Sequence, residues 1–460
     1  MAKARRSWPQ PSSGPSGRGI RSPVRAAILL ALLFGLGALS RPAAALPLYA
    51  RQTGLVCASC HTTFFQLTPF GRRFKLGGYT LGGGTSTLPP FAVMLQPTFT
   101  HTAAGQPGGA APHFGPNNNF ALQEASLFTG GRITDHIGAF IQGTYDGVDR
   151  RFGWDNTDIR YANAAKPGGH DLLLGVTLNN NPSVQDVWNT TPAWSFPFIS
   201  PTLSPTPAAS TFIEETFAQH VLGLGAYGFL DDSLYVELTG YRSLAKRTEL
   251  LLGVDTTDDS PIDGIAPYWR VAVERNFGKN SLEIGTFGLE GHVRPLRMFA
   301  AGTDAFTDVG VDSQYQWIGD RQAVTFRISW IHEDHDLGAS QALGLADRSH
   351  DTLRSFHTSL SYTFDDTWEL TGARFSLSGT RDATLYGTTN GKPDTSGWIA
   401  EIAYLPYMHG GPKFWPWFNA RLGLQYTRYD KFNGAGRNFD GMGRNAGDNN
   451  TILLYAWIMF

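Results

Sequence analysis

From Phe91 to the last residue, apolar and polar side chains alternate with a period of two in one short segment after another. In 305–317, Val309, Val311, Ser313, Tyr315 and Trp317 oppose Asp308, Gly310, Asp312, Gln314 and Gln316. In 321–332, Val324, Phe326, Ile328 and Trp330 oppose Ala323, Thr325, Arg327 and Ser329, and in 267–277, Trp269, Val271 and Val273 oppose Arg270, Ala272 and Glu274. Period two places successive side chains on opposite faces of a strand, so each segment presents one apolar and one polar face. Sixteen segments follow this reading: 91–102, 119–132, 137–146, 157–165, 170–178, 217–228, 233–242, 267–277, 281–291, 305–317, 321–332, 351–364, 367–379, 396–405, 414–428 and 450–460.

The links between them alternate in length. Tight links follow even segments: Thr134-Asp135, Pro167-Gly168-Gly169, Asp231-Asp232, Gly278-Lys279, Gly319-Asp320, Asp365-Asp366 and a longer Pro406–Pro412. Long links follow most odd ones: 103–118, 179–216, 243–266, 292–304, 333–350, 380–395 and 429–449, with 147–156 the shortest. A soluble β-sandwich does not account for that asymmetry, whereas outer-membrane barrels combine short periplasmic turns, long external loops and an even strand number. The expected fold is all-β, a 16-stranded antiparallel outer-membrane β-barrel over 90–460 with both barrel termini on the periplasmic side. Composition agrees: aromatics make up 13%, charged residues only 17%, and there are 53 Gly for turns. The final Tyr455-Ala456-Trp457-Ile458-Met459-Phe460 resembles the terminal aromatic assembly signal of bacterial outer-membrane proteins.

The one long apolar run lies at the N-terminus. Residues 26–39 are AAILLALLFGLGAL, preceded by Lys3, Arg5, Arg6, Arg18, Arg21 and Arg25 without an acid, and followed by Ala43-Ala44-Ala45. This reads as a signal peptide over 1–45; an uncleaved anchor is disfavoured because the run is short for a membrane span. Its removal lowers Lys+Arg from 37 to 30 against 39 Asp+Glu, a net charge of −9. No nucleic-acid partner is expected of such a chain.

Both cysteines of the chain fall in Cys57-Ala58-Ser59-Cys60-His61. C-x-x-C-H is the attachment pattern of c-type haem: two thiols bond to the porphyrin, and the adjacent imidazole supplies an axial nitrogen. A redox dithiol would call for a βαβ context, and a zinc site for a second ligand pair; neither is present. One covalent haem c is therefore expected, bound by Cys57 and Cys60, with His61 as proximal axial ligand. The segment 46–89 is too short to enclose a porphyrin alone, so it reads as a plug that borrows its walls from the barrel.

A leader, one C-x-x-C-H, a brief linker and a large barrel together resemble the fused outer-membrane monohaem cytochrome–porins of Fe(II)-oxidising bacteria. The local likeness lies in Ala50-Arg51-Gln52-Thr53-Gly54 before Cys57 and in Phe70-Gly71-Arg72-Arg73-Phe74-Lys75-Leu76-Gly77-Gly78-Tyr79 after His61; over the barrel it is architectural. The resemblance implies electron transfer between an extracellular reductant such as Fe(II) and a periplasmic c-type cytochrome.

For the distal ligand, Met94 shares the polar phase of the first segment with Gln96, Thr98 and Thr100 and is expected to face the lumen. His101 shares the apolar phase of Phe91, Val93, Leu95 and Phe99 unless a bulge at Pro97 shifts it, and is the second candidate. His332, Asp334 and His335 are expected to open an external loop and offer imidazole and carboxylate suited to Fe(II); Asp255, Asp258, Asp259 and Asp263 crowd another. Arg270, Glu274, Arg327, Arg354, His357 and Arg421 are expected to line the lumen and pair there. The leading functional expectation is an electron conduit, with Fe(II) oxidation as a candidate activity and no catalytic side chain assigned. The alternative is a diffusion porin in which the haem segment is a plug, gate or redox sensor. A peroxidase is disfavoured, since no distal acid–base pair is identifiable.

Overall fold

The structure, a computed structural model, describes residues 48–82, 91–191, 196–214, 219–257, 260–411, 415 and 417–460. The expected signal peptide, Asp258 and Asp259 lie outside the described residues.

Sixteen antiparallel strands close into one barrel. In chain order they are β1 (Phe91–Thr102), β2 (Asn119–Arg132), β3 (Ile137–Asp146), β4 (Arg151–Ala165), β5 (Leu172–Asn179), β6 (Val221–Leu230), β7 (Leu234–Ser243), β8 (Ala266–Phe277), β9 (Asn280–Val293), β10 (Asp304–Ile318), β11 (Gln322–Asp336), β12 (His350–Phe364), β13 (Trp368–Gly379), β14 (Thr395–Tyr404), β15 (Asn419–Lys431) and β16 (Thr451–Met459). Each pairs with its sequence neighbours, and β16 pairs with β1. The last residue completes that seam: Phe460 N–H donates to the Val93 carbonyl at 2.8 Å, and the Phe460 carbonyl accepts from Val93 N–H at 2.9 Å. Closure removes the unpaired edges that an open sheet would expose.

Alternation decides the two faces. Outward stand Val236 and Leu238 on β7, Val271 and Val273 on β8, Val309 and Val311 on β10, and Leu422 and Leu424 on β15, all exposed. Inward stand Glu237, Thr239, Arg270, Asp312, Gln314 and Arg421, all buried. An apolar exterior around a polar interior is the arrangement of a barrel that crosses a membrane with its strands. Among the described residues no helix is long and apolar enough to cross. At the β8–β9 turn, Gly278 takes φ 60° in a two-residue link, which glycine adopts without the steric cost of a Cβ.

Three differences from the sequence reading bear on the lumen and the loops. β4 begins at Arg151, because Asp146 Oδ1 accepts from Val148 N–H and Asp149 N–H at 2.7 and 2.9 Å and turns the chain at once. β11 continues through the run assigned to a loop, ending at Asp336. The long link after β5 does not stand outside the barrel. It folds into the lumen, where Val184, Val187, Trp188, Ile199, Leu203 and Ile213 are all buried.

The plug enters from the end of the barrel where the tight turns lie. It comprises α1 (Leu48–Thr53), α2 (Cys57–Cys60), a small hairpin pairing His61–Thr63 with Gln66–Leu67, and α3 (Pro69–Leu76). Thr68 caps α3, accepting from Gly71 N–H at 3.1 Å, with Pro69 in the first turn where its missing N–H costs nothing.

Candidate haem site and lumenal cavity

The C-x-x-C-H segment forms one helical turn followed directly by a strand, so Cys57, Cys60 and His61 project from adjoining backbone. Helix α3 packs against it closely. A Cβ on Gly71 would lie 2.2 Å from the Cys60 carbonyl oxygen, which also accepts from Thr68 N–H at 2.9 Å. Only glycine permits that approach. On the other side, Ala58 N–H donates to the Met408 carbonyl at 3.0 Å, tying α2 to the link before β15.

One cavity of about 1640 Å³ faces this segment, and Cys57, Cys60 and His61 all line it. Around the inner end stand Leu48, Phe64, Phe65, Phe128, Met94 and Trp457. Cys57 Sγ accepts from Asn419 Nδ2 at 3.3 Å, and His61 Nδ1 is buried without a hydrogen-bond partner. Burial pushes the Cys57 thiol up to about 12 and the Cys60 thiol up to about 11, and lowers His61 to about 4. His61 is thus a neutral imidazole at neutral pH, the form that coordinates a metal. Two thiols, a neutral imidazole and an aromatic-lined cavity fit a covalent haem.

Met94 faces the lumen as its phase requires and opens onto the same cavity as His61. Its sulfur accepts from the Trp457 indole N–H, and more weakly from Gln96 Nε2 at 3.5 Å. His101 faces outward, its Nδ1 2.7 Å from Asn118 Oδ1. A register shift does occur at Gln96/Pro97, but the extra residue, Gln123, belongs to β2. The phase of β1 therefore survives, and His101 is not placed as a ligand from within the barrel.

The three residues considered for Fe(II) are not brought together. Because β11 continues to Asp336, His332 and Asp334 face outward, 3.3 Å apart, while His335 turns inward and is hydrogen-bonded to Glu333. Among the described residues no group of three or more His, Cys, Asp or Glu is placed to hold a metal ion. In the other acidic loop, Asp255 pairs with Arg151 at 3.3 Å and Asp263 with Arg294 at 2.6 Å.

Of the expected lumen-lining residues, Arg270, Glu274, Arg327 and Arg421 point inward and are buried, while Arg354 is exposed on the outer face. Arg270 pairs with Glu283 at 3.1 Å and Asp312 at 2.5 Å, and Arg421 with Glu369 at 2.7 Å and also with Glu401. His357 lies 3.1 Å from Glu214 of the inward-folded loop.

Sequence reading missed the residue that ties the plug to the wall. Arg72 of α3 is 2% exposed and donates six hydrogen bonds. Two reach Glu274, Nε to Oε2 at 2.9 Å and Nη2 to Oε1 at 3.1 Å. The others go to Ser281, Gln314, Gln316 and the Leu67 carbonyl at 2.8–3.1 Å. The signal was an arginine in Phe70–Tyr79 with no acid nearby in sequence; its partner lies on β8. Thr63 and Gln66 add hydrogen bonds to Glu369 at 2.8 Å and Ser361 at 3.1 Å, and Tyr79 to Asp158 at 2.5 Å. Burial lowers Lys75 to about 8; it donates to the Val184 carbonyl and, at 3.1 Å, to the Asp186 carbonyl.

No family model and no curated protein matches the chain. Several solved outer-membrane structures are similar to it in fold. They include a loop-deletion mutant of OmpT, an outer membrane protein of Vibrio cholerae (10% identity, TM-score 0.45, 81% of this chain and 99% of that one). The outer membrane channel DcaP of Acinetobacter baumannii is another (12%, 0.45, 83% and 100%). Salmonella typhi OmpF, in complex with daunomycin, is a third (12%, 0.46, 80% and 97%).

Proposed function

We propose that this outer-membrane barrel carries one covalent haem c and passes electrons between an extracellular reductant and a periplasmic c-type cytochrome, as the fused monohaem cytochrome–porins that it resembles are expected to do. One observation carries this reading. Cys57, Cys60 and His61 open together onto an aromatic-lined cavity inside a closed barrel, and His61 Nδ1 is buried there without a partner. Bound at that place, the haem supplies a one-electron carrier within an otherwise insulating hydrocarbon layer about 30 Å thick.

The chain's own residues do the rest. Cys57 and Cys60 would attach the group, and the His61 imidazole would help to hold its iron. Met94 would be the second side chain to hold the iron, because it lines the same cavity; its sulfur would then give up the hydrogen bond from Trp457. Phe64, Phe65 and Trp457 keep water from the inner end, with the Phe65 and Trp457 ring centroids 4.8 Å apart. Arg72 fixes the plug in register with β8–β10. Fe(II) remains a candidate external reductant, without the contact set that His332, Asp334 and His335 would have supplied.

The second reading is a diffusion porin whose haem segment is a plug, gate or redox sensor. It is favoured by the reach of the cavity, which extends from Cys57 to the exposed Thr206, Pro207 and Ser210 of the inward-folded loop. Reconstitution separates the two. A conduit conducts ions poorly and reduces a dye trapped inside the liposome when an external reductant is added. A porin shows stepwise ion conductance and leaves the dye untouched in the absence of solute entry.

A further inference from the structure

The cavity is larger than one bound group requires. Pockets for small organic ligands run to about 300–1,000 Å³, against about 1640 Å³ for this cavity. Its two ends differ in chemistry. The inner end holds the cysteines and His61. The outer end lies between the inward-folded loop and strands β11–β15, and opens where Thr206, Pro207 and Ser210 are exposed.

The walls of this outer end are aromatic, formed by Phe196, Phe198, Phe212, Phe375 and Tyr429. Its two carboxylates are already engaged. Glu214 accepts from Thr211 Oγ1 at 2.9 Å and Ser355 Oγ at 2.8 Å and meets His357, while Glu333 takes Phe212 N–H and the His335 ring. Among the described residues, a hydrated cation entering here meets no open carboxylate face and no group of metal-holding residues.

Three polar atoms on residues that line this outer end have, by contrast, no hydrogen-bond partner. Tyr386 Oη, Gln425 Oε1 and His335 Nδ1 are buried without a hydrogen-bond partner, on residues 5%, 1% and 6% exposed. Gln425 directs its Nε2 to the Ile199 carbonyl at 3.1 Å and to Glu401 at 2.9 Å, which leaves only its acceptor oxygen for another molecule. Buried polar groups are almost always satisfied by protein, water or ligand. A hydroxyl group would donate to Gln425, a carbonyl or hydroxyl oxygen would accept from Tyr386, and an aromatic ring would stack on the phenylalanines.

We infer that the outer half of this cavity is a binding site for a neutral aromatic molecule bearing hydroxyl or carbonyl groups, of the phenol or quinone class, entering from the external loops. Its role as the external redox partner rests on the electron-transfer reading; the binding itself does not.

The test is saturation-transfer NMR on the full chain in nanodiscs with 4-hydroxybenzamide as probe, benzoate as the anionic control, and empty nanodiscs subtracted. Transfer to 4-hydroxybenzamide well above that to benzoate is expected. Tyr386→Phe, which removes only the hydroxyl, should weaken binding several-fold, the worth of one neutral hydrogen bond. Ser210→Trp at the mouth should abolish it. Transfer no greater than in empty nanodiscs, equal binding of benzoate, or binding indifferent to both substitutions would each overturn the inference. The same measurement on Cys57→Ala/Cys60→Ala protein should still show binding, so loss of the haem reading and loss of this one are separate results.

Discussion

The two sides of the lumen hold the plug by different physics. Toward β8–β10 the contact is charged and directional: Arg72 reaches Glu274, Ser281, Gln314 and Gln316, and Trp188 Nε1 donates to the same Glu274 at 2.7 Å. Toward β16, β1 and β2 it is apolar. Leu48, Met94, Phe128, Leu453 and Trp457 form one buried cluster, with Tyr49 and Phe65 against it. Directional bonds tolerate one geometry, so the first side sets register. Apolar packing tolerates adjustment, so the second can accept a large planar group beside Cys57 and His61 with little directional bonding to lose, the Trp457–Met94 hydrogen bond excepted.

The largest effect expected lies on the adaptable side. Cys57→Ala/Cys60→Ala should eliminate covalent haem, read by pyridine haemochrome after acid–acetone extraction, while the barrel keeps its heat-modifiable mobility. Haem in the wild-type chain that extracts completely would break the reading at its root.

The next effect tests the register side. Arg72→Ala leaves Glu274 buried and short of its cation, a change worth about 3–5 kcal/mol when a buried pair loses one member. The plug should loosen, and ion conductance in planar bilayers should rise well above wild type. Unchanged conductance would show that the apolar side alone retains the plug. Gly71→Ala acts between the two sides by forcing α3 away from the Cys60 carbonyl. It should lower the yield of attached haem without raising conductance to the Arg72→Ala level.

Met94→Ala probes the apolar wall more finely. The barrel should assemble normally. Any sulfur–iron absorption of the oxidised form should vanish and the reduction potential should fall, since thioether ligation raises it. Unchanged spectra and potential would eliminate Met94, and His101 would not replace it, because it faces outward.

The smallest effect comes from Lys75. Burial holds its ammonium at about 8, below the usual lysine value of about 10.4. The unfolded chain therefore binds more protons between about pH 8 and pH 10, and stability rises with pH through that window. Thermal unfolding should move up by a few degrees between those values, and Lys75→Met should flatten the rise.

Much of this was legible in the sequence, and the reasons are local. Period two is a property of one strand, so Val309 and Asp312 declared their faces without knowledge of any partner. Alternating link lengths declared the antiparallel order, and a one-residue error in phase would have inverted Met94; it did not. Where the local rule was stopped too early, it misled. Ending β11 at 332 turned His332, Asp334 and His335 into a loop cluster, although carrying the alternation four residues further separates them.

The Cys57–His61 motif, the phase of Met94 and the sixteen-strand pattern were thus determined by sequence alone, because each depends on neighbours within a few residues. Tertiary structure alone decided that Arg72 meets Glu274, that Trp457 meets Met94, and that the link after β5 turns inward to wall the cavity. These contacts join residues far apart in the chain, and their energies depend on burial. A single strand cannot express that burial; it exists only once the barrel closes and removes water from its interior.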